Sequence, residues 1–241
     1  MINADSGARF LAEQHLPDSY LATLENRVAP LGEQIATFQS GVGRPVLVVI
    51  NGCQGSGKST MAAALEWLIR ENHSLSTLAL SLDDFYLTRA ERSELADDVH
   101  PLLATRGVPG THDVTLLETV LDQLQSESGT IAIPRFNKAT DNRVDEGNWR
   151  RVSTPAQVVV LEGWCLGVKD QSDTALANAV NTLESTQDAE GVWRRYVNKK
   201  IKEQYTDLFA RSDISVMLKA PSFDCVYEWR LEQEQKLAAS T

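Results

Sequence analysis

Positive charge, histidine and cysteine are all scarce in this 241-residue chain. Its 23 lysines and arginines face 33 aspartates and glutamates, which gives a formal net charge of -10. Because nucleic-acid phosphates are bound by basic surfaces, this balance argues against a nucleic-acid partner. The four histidines show no zinc-binding spacing. The three cysteines form no Cys-x-x-Cys pair, a pattern typical of free thiols in a reducing cytoplasm.

Long apolar runs are missing as well. No run approaches the roughly 20 residues that a membrane span requires, and residues 1–10 lack the apolar core of a signal peptide. We therefore expect a cytoplasmic protein without membrane contact. Hydrophobic residues make up 42% of the chain, which is enough to bury the core of an ordinary globular domain.

A glycine-rich stretch after the first apolar run carries the strongest chemical signal. It has the spacing G-x-x-x-x-G-K-[ST], between a β-branched run at 46–50 and helical periodicity at 58–71. Such glycines let backbone N–H groups converge on phosphate oxygens, and the following helix adds its positive end. We therefore predict a nucleotide triphosphate site, with a plain tight turn as the alternative. Its residues are Gly52, Cys53, Gln54, Gly55, Ser56, Gly57, Lys58, Ser59 and Thr60.

Acidic side chains follow two further predicted strands. Asp83 and Asp84 come after the strand at 77–82, and Glu162 follows the strand at 158–161. Ligands of open α/β sheets bind at the carboxyl ends of the strands, so we favour a functional role over solvated turn acids. Glu162 matches a Walker B acid, and we expect it to order Mg²⁺, directly or through water, together with the Ser59 hydroxyl. Lys58 is expected to reach the β- and γ-phosphates.

Two loops carry basic side chains that could bind an anion. Arg106 and His112 lie in a loop shaped by glycine and proline, where substrate contact and internal hydrogen bonding are equally open. Arg135, Lys138 and Arg143 follow a short strand at 131–133. In an acidic protein this local basic character favours an anion site over a solvated basic loop.

The order of the elements predicts the fold class. Five strands alternate with helical stretches, which indicates an α/β, P-loop NTPase-type fold with a mostly parallel five-stranded sheet and helices on both faces. Residues 1–45 are predicted to form a helical layer in which Pro30 interrupts or kinks the helix, with a partner-binding helix as the alternative. Residues 46–241 are predicted to form the P-loop core of a single domain. Within this core, residues 167–191 are predicted to form a polar insertion with low order or one weak helix. Asp113 is predicted to be the N-cap of the helix that follows it.

Taken together, the motifs at 52–59, 81–86, 106–113, 134–138 and 161–164 resemble one family. The combination of Asp-Asp-Phe-Tyr, Arg-Gly-x-Pro-Gly-Thr-His-Asp and Glu-Gly-Trp is similar to the P-loop D-glycerate 3-kinases, the plant-type glycerate kinases with their yeast and bacterial relatives. More distantly the chain resembles uridine kinase, phosphoribulokinase and bacterial pantothenate kinase. The likeness extends from about residue 45 onward.

The resemblance implies ATP and Mg²⁺ as cofactors and transfer of the γ-phosphoryl group to D-glycerate. It implies catalytic roles for Lys58, for Asp83 rather than Asp84, and for Arg230 in a phosphate-clamping lid. The acceptor is expected to be a small anion, and the groups expected to bind it are Asp83, Tyr86, Arg106, His112, Arg135, Lys138 and Arg143.

Two alternatives remain open from the sequence. One is a kinase of the same fold with a uridine- or pantothenate-like acceptor, and the other is a nucleotide-binding regulatory protein without metabolic turnover. Members of the family continue past the helix after the fifth strand with a C-terminal segment, which this sequence does not include. A truncated chain and a natural short form both fit this difference. The residues that contact adenine are therefore left unassigned. The sequence indicates no particular oligomeric state.

Overall fold

The computed structural model describes residues 2–126, 128–222, 224–229 and 231. Its strands are β1 (Val46–Gly52), β2 (Thr77–Ser81), β3 (Gly129–Ile133), β4 (Phe136–Asn137), β5 (Asn142–Arg143), β6 (Arg150–Thr154), β7 (Val158–Gly163) and β8 (Ile214–Leu218). Its α-helices are α1 (Ala4–Glu13), α2 (Leu21–Thr23), α3 (Ala29–Val42), α4 (Lys58–His73), α5 (Arg89–Asp98), α6 (Val114–Gln125), α7 (Thr182–Gln187), α8 (Val192–Lys200) and α9 (Thr206–Ala210). Residues 224–229 are also helical. Among the helices described, none is both long and apolar enough to cross a membrane.

Short helical turns of other types connect these elements. Turns of 3₁₀-helix span Asp18–Tyr20, Leu82–Phe85, Pro101–Ala104 and Glu146–Asn148, and π-helical turns span Leu24–Val28 and Ile201–Tyr205. The chain divides into two compact units. The first takes in the chain up to Ser81, the segment Pro155–Trp164 and the chain from Ser212 onward, and the second takes in Leu82–Thr154 and Cys165–Arg211.

A parallel sheet forms the centre of the first unit. Within the described residues it has four strands in the order β2-β7-β1-β8. The two middle strands, β1 and β7, are buried along almost their whole length. Parallel strands covered on both faces consist of continuous apolar residues, which is the pattern that both runs show in the sequence. The predicted α/β fold with a parallel sheet and flanking helices is confirmed.

The predicted third strand does not belong to this sheet. β3 pairs antiparallel with β6 in the second unit, so the main sheet has four strands among the described residues where five were predicted. The burial of β3 explains the difference. Its first two residues are exposed, the next two are half-buried and only Ile133 is buried, whereas a strand inside a parallel sheet is covered on both faces.

The helices of residues 4–42 pack on the core of the first unit. Ile35 joins the apolar cluster that contains the β1 and α4 side chains, and Phe10 stacks on Trp67 with ring centroids 4.7 Å apart. Pro30 lies in the first turn of α3, directly after the π-helical turn Leu24–Val28. Proline is tolerated there because a first-turn N–H has no partner inside the helix. The division of the chain at residue 45 stays a prediction.

The second unit combines helices with two small antiparallel ribbons, β3–β6 and β4–β5. Asp113 Oδ1 accepts the Leu116 N–H at 3.0 Å at the start of α6, which confirms the predicted N-cap. The polar segment 167–191 contains the short helix α7. It is organised by the buried Arg194, whose guanidinium pairs with Asp188 at 3.1 Å and donates to the Leu176 carbonyl at 2.8 Å.

Candidate active site

The glycine-rich loop joins β1 to α4 in the first unit. Gly55 and Gly57 have φ angles of 78° and 86°, in the left-handed region where other side chains are strained. Gly57 is also the N-cap residue of α4, so the loop runs directly into the helix. The first N–H groups of a helix lack acceptors within it and attract anions. The loop therefore has the backbone shape that phosphate binding requires.

Close packing under the loop explains the glycine at its start. A Cβ on Gly52 would lie 2.7 Å from Ser56 Oγ and 2.9 Å from Leu218 Cβ, which is closer than carbon atoms tolerate. Ser56 Oγ is buried, and within the described residues it has no hydrogen-bond partner. A buried hydroxyl without a partner is costly unless a ligand or water satisfies it. This loop thus combines a tight fold with a polar atom left for a ligand.

Two short contacts involve the residues of the first unit that were predicted to bind phosphate and Mg²⁺. Lys58 Nζ donates to the Cys53 carbonyl of the loop at 2.8 Å. The Ser59 hydroxyl donates to Glu162 Oε1 at 2.8 Å. Glu162 is the last-but-one residue of the buried strand β7, opposite Ile50 in β1, and only 6% of it is exposed. The structure thus brings together Ser59 and Glu162, the two residues predicted to order Mg²⁺.

The donor atoms of this pair fit a hard cation. Mg²⁺ prefers oxygen ligands and is commonly held by one or two carboxylates with substrate phosphates and water. A serine hydroxyl and a glutamate oxygen 2.8 Å apart supply such ligands. Across the residues that the structure describes, no three His, Cys, Asp or Glu side chains group closely enough to hold a metal by themselves. A cation at this site would therefore be completed by nucleotide phosphates and water.

In the second unit, Asp83 and Asp84 occupy the 3₁₀ turn that directly follows β2, and their contacts differ. Asp83 Oδ2 pairs with Lys138 Nζ at 2.7 Å, and 30% of the Asp83 side chain is exposed. Asp84 Oδ1 accepts the Phe136 N–H at 3.0 Å. Burial raises the pKa of Asp84 above its usual value, and the Phe136 N–H and the Arg135 charge oppose the rise. Asp84 thus anchors the chain at Phe136, whereas Asp83 presents an accessible carboxylate.

The hairpin β4–β5 carries Lys138 at its exposed end. Asn137 Oδ1 accepts the N–H groups of Ala139 and Thr140 at 2.9 Å and 3.3 Å, which shapes the turn. Asp141 has a φ of 52° and completes the reversal. The turn is therefore fixed by its own hydrogen bonds, while the Lys138 side chain extends to solvent.

A buried arginine that the sequence analysis did not single out holds this hairpin. Arg92 in α5 is fully buried and donates to the carbonyls of Leu87, Ala104 and Asp141 at 3.2, 2.9 and 2.7 Å. It also pairs with the Asp141 carboxylate at 2.9 Å. Arg106 forms a second ion pair with the same carboxylate. Nothing in the charged segment around Arg92 distinguishes it from the exposed charges beside it.

Arg143, at the other end of the hairpin, is also engaged within the unit. Its guanidinium donates to the Tyr86 carbonyl at 3.0 Å and lies 3.3 Å from Asp113 Oδ2. Arg135 is exposed. Of the predicted cations, Arg106 and Arg143 therefore serve the internal structure, whereas Lys138 and Arg135 reach solvent.

Tyr86 and His112 form a buried aromatic pair beside Asp83. Their rings stack with centroids 4.3 Å apart, and His112 Nδ1 lies 2.7 Å from the Tyr205 hydroxyl. Burial lowers the pKa of His112 to about 3, although the Asp83 charge opposes the change. Burial and the nearby Asp83 carboxylate raise the pKa of Tyr86 above its usual value. The imidazole is therefore neutral at physiological pH. The sequence analysis did not single out Tyr205, just as it did not single out Arg92. In the sequence, Tyr205 is only one of the apolar positions on a predicted helical face.

The predicted site residues thus fall into two groups. The loop residues 52–60 and Glu162 belong to the first unit. The acceptor candidates Asp83, Tyr86, Arg106, His112, Arg135, Lys138 and Arg143 belong to the second. Arg230 lies outside the described residues.

Comparison with known proteins identifies relatives over most of the chain. Residues 47–211 match the profile of the Phosphoribulokinase / Uridine kinase family. The chain is 38% identical over 208 residues to the "Uncharacterized kinase mug58" of Schizosaccharomyces pombe, covering 82% of this chain and 73% of that protein. It is 32% identical to the chloroplastic D-glycerate 3-kinase of Arabidopsis thaliana, covering 82% of this chain but only 43% of that protein.

A solved structure is similar in fold. The D-glycerate 3-kinase of Cryptococcus neoformans superposes with a TM-score of 0.74 at 24% identity, covering 91% of this chain and 80% of that one. At this level of identity the superposition shows the fold alone.

Proposed function

Because this chain belongs to the Phosphoribulokinase / Uridine kinase family, and is therefore a kinase, we propose that it transfers the γ-phosphoryl group of ATP to D-glycerate and forms 3-phosphoglycerate. The observation that carries the choice of acceptor is the Lys138–Asp83 pair at 2.7 Å, because it combines a cation for a carboxylate with an acid for a hydroxyl. The similarity to the Arabidopsis D-glycerate 3-kinase supports the same acceptor. An uncharged nucleoside would offer no carboxylate to pair with Lys138 once Asp83 engages the acceptor hydroxyl.

Nucleotide binding is assigned to the first unit. We propose that the N–H groups of residues 52–60 hold the phosphates and that Lys58 leaves the Cys53 carbonyl to reach the β- and γ-phosphates. Ser59 and Glu162 would hold Mg²⁺, which neutralises phosphate charge when it is bound. Arg230 is proposed to complete this neutralisation.

The acceptor groups are assigned to the second unit. The acceptor hydroxyl oxygen forms a bond to the γ-phosphorus while the bond to the β–γ bridging oxygen breaks, and the electron pair of that bond leaves on ADP. Asp83 aligns the hydroxyl and receives its proton, which then passes to solvent. Such transfer depends mainly on positioning and charge neutralisation rather than on covalent chemistry with the protein.

We further propose a small-molecule anionic partner and a cytoplasmic location. The three cysteines that the structure describes, Cys53, Cys165 and Cys225, are free thiols, which suits a reducing compartment. The acidic net charge of -10 fits neither a nucleic-acid nor an anionic lipid partner.

A coupled ADP-release assay tests the proposal. The purified chain is given ATP and Mg²⁺ with D-glycerate, uridine, pantothenate or no acceptor, and Lys58→Ala serves as the inactive control. ADP that depends on D-glycerate, with 3-phosphoglycerate as product, is the expected result. ADP that depends on uridine or pantothenate would move the chain to another acceptor. ADP without any acceptor, or nucleotide binding without turnover, would indicate a regulatory protein.

A further inference from the structure

The basic residues predicted at the acceptor site differ in what they already bind. Arg106 pairs with Asp141, and its guanidinium carbon lies 5.4 Å from the centre of the Phe136 ring. Arg143 is held between the Tyr86 carbonyl and Asp113. Moving Arg143 to a ligand would take a donor from the Tyr86 carbonyl. Moving Arg106 would leave Arg92 as the remaining ion-pair partner of Asp141. These arginines are therefore poor choices for an exchangeable contact with a substrate.

Lys138 differs from Arg106 and Arg143 because its side chain is largely exposed. Its side chain is 63% exposed, and its ammonium lies 2.7 Å from Asp83 Oδ2. An ion pair with so exposed a cation contributes little to stability, so a competing anion can displace one partner at little cost. The backbone beneath Lys138 is fixed, because Asp84 holds Phe136 and Arg92 holds Asp141. Lys138 is thus an exposed cation on a hydrogen-bonded hairpin, next to the acid predicted to align the acceptor hydroxyl.

Resting on the proposed function, we propose that Lys138 determines acceptor specificity. Its ammonium exchanges the Asp83 carboxylate for the carboxylate of the acceptor, and Asp83 then engages the acceptor hydroxyl. Because the two side chains are in contact before the exchange, the carboxylate and the hydroxyl of the acceptor must be separated by only a few bonds. The acceptor class is therefore the short-chain hydroxy acids.

The experiment compares D-glycerate with D-glyceramide, which replaces the carboxylate by a neutral amide of almost the same shape. Wild type, Lys138→Met and Lys138→Arg are assayed for kcat and KM with both compounds, and D-glyceramide is also tested as a competitor. Lys202→Met is the matched control, since Lys202 is an exposed lysine in the same unit. Urea unfolding of each variant checks that the fold is intact.

A hydrogen bond to a charged group contributes about 1.5–3 kcal/mol, which corresponds to roughly a 10- to 100-fold change in kcat/KM. We expect Lys138→Met to lose this factor with D-glycerate, chiefly through KM, and to change little with D-glyceramide. Lys138→Arg should recover part of the loss, and Lys202→Met should match wild type.

Two results would overturn the inference while leaving the proposed function intact. One is a Lys138→Met variant that keeps the wild-type preference for D-glycerate. The other is an equal loss with both compounds, which would indicate a structural role. A wild-type protein that phosphorylates neither D-glycerate nor D-glyceramide would overturn the proposed function itself, and this inference with it.

Discussion

Replacing Arg92 by methionine should destabilise the second unit and loosen the hairpin β4–β5. Arg92 is fully buried and its guanidinium serves three carbonyls and one carboxylate. Methionine fills a similar volume but donates nothing. The carbonyls of Leu87 and Asp141 would lose their charged donor, and Asp141 would keep only its pair with Arg106.

The size of the loss in the free energy of unfolding depends on which of the unpaired groups water can hydrate. Removing one partner of a buried ion pair typically costs about 3–5 kcal/mol, because buried groups lose their charged hydrogen-bond donor. Here 37% of the Asp141 side chain is exposed and Ala104 is exposed, so water replaces part of the loss. We therefore expect a loss of about 3 kcal/mol in the free energy of unfolding, at the lower end of that range. For a urea dependence of about 2 kcal/mol per molar, the midpoint falls by roughly 1.5 M.

Urea unfolding followed by tryptophan fluorescence and circular dichroism measures this change. Arg89→Met is the matched control, because Arg89 opens the same helix with an exposed side chain, and surface substitutions usually stay within about 0.5 kcal/mol. Arg92→Lys should recover little, since one ammonium cannot reach the carbonyls that the planar guanidinium reaches. If Arg92→Met unfolds at the same urea concentration as Arg89→Met, Arg92 does not hold the hairpin.

Three further predictions concern the catalytic groups and pH. Lys58→Ala should lower turnover by about 100-fold or more, and near-normal activity would contradict the phosphate-loop assignment. Asp83→Asn should lower kcat with little change in the KM for ATP, whereas Asp84→Asn should mainly lower stability; the reverse pattern in steady-state kinetics and urea unfolding would exchange the two roles. Stability should fall as the pH drops from about 6.5 towards 3, because unfolded His112 binds a proton that the folded form, with its pKa lowered to about 3, excludes. His112→Gln should weaken this pH dependence between 6.5 and 4, and an unchanged slope would assign it to other groups.

The sequence predicts best where one residue pattern has one structural meaning. The pairing of Ser59 with Glu162 could be anticipated because a phosphate-loop serine and an acid after a buried strand both serve the same cation. Likewise, an aspartate before a helical repeat is a specific N-cap signal, and Asp113 has that role.

The sequence predicts poorly where a contact depends on distant partners. The residues 131–133 have the composition of a strand, but nothing in three residues specifies an antiparallel partner at β6 rather than a place in the main sheet. Arg92 lies in a charged segment whose composition predicts solvent exposure. In the structure it is buried, and carbonyls from three separate segments of the chain accept its hydrogen bonds. For Arg106, two functions were open, and the structure supplies the Asp141 partner that the sequence does not reveal.

The order of strands in the main sheet has a consequence for how the chain reaches its native state. β1 is made early but lies between β7 and β8, and its residue Val48 pairs with Val160 and with Ile214. During synthesis, more than half of the chain is therefore made before β7 or β8 is available to pair with β1. Pairings between residues so far apart in sequence slow folding, because a long loop must be closed before any contact is gained. The nascent chain thus exposes an apolar parallel strand through most of its synthesis, and it should refold slowly and depend on protection from aggregation while it does.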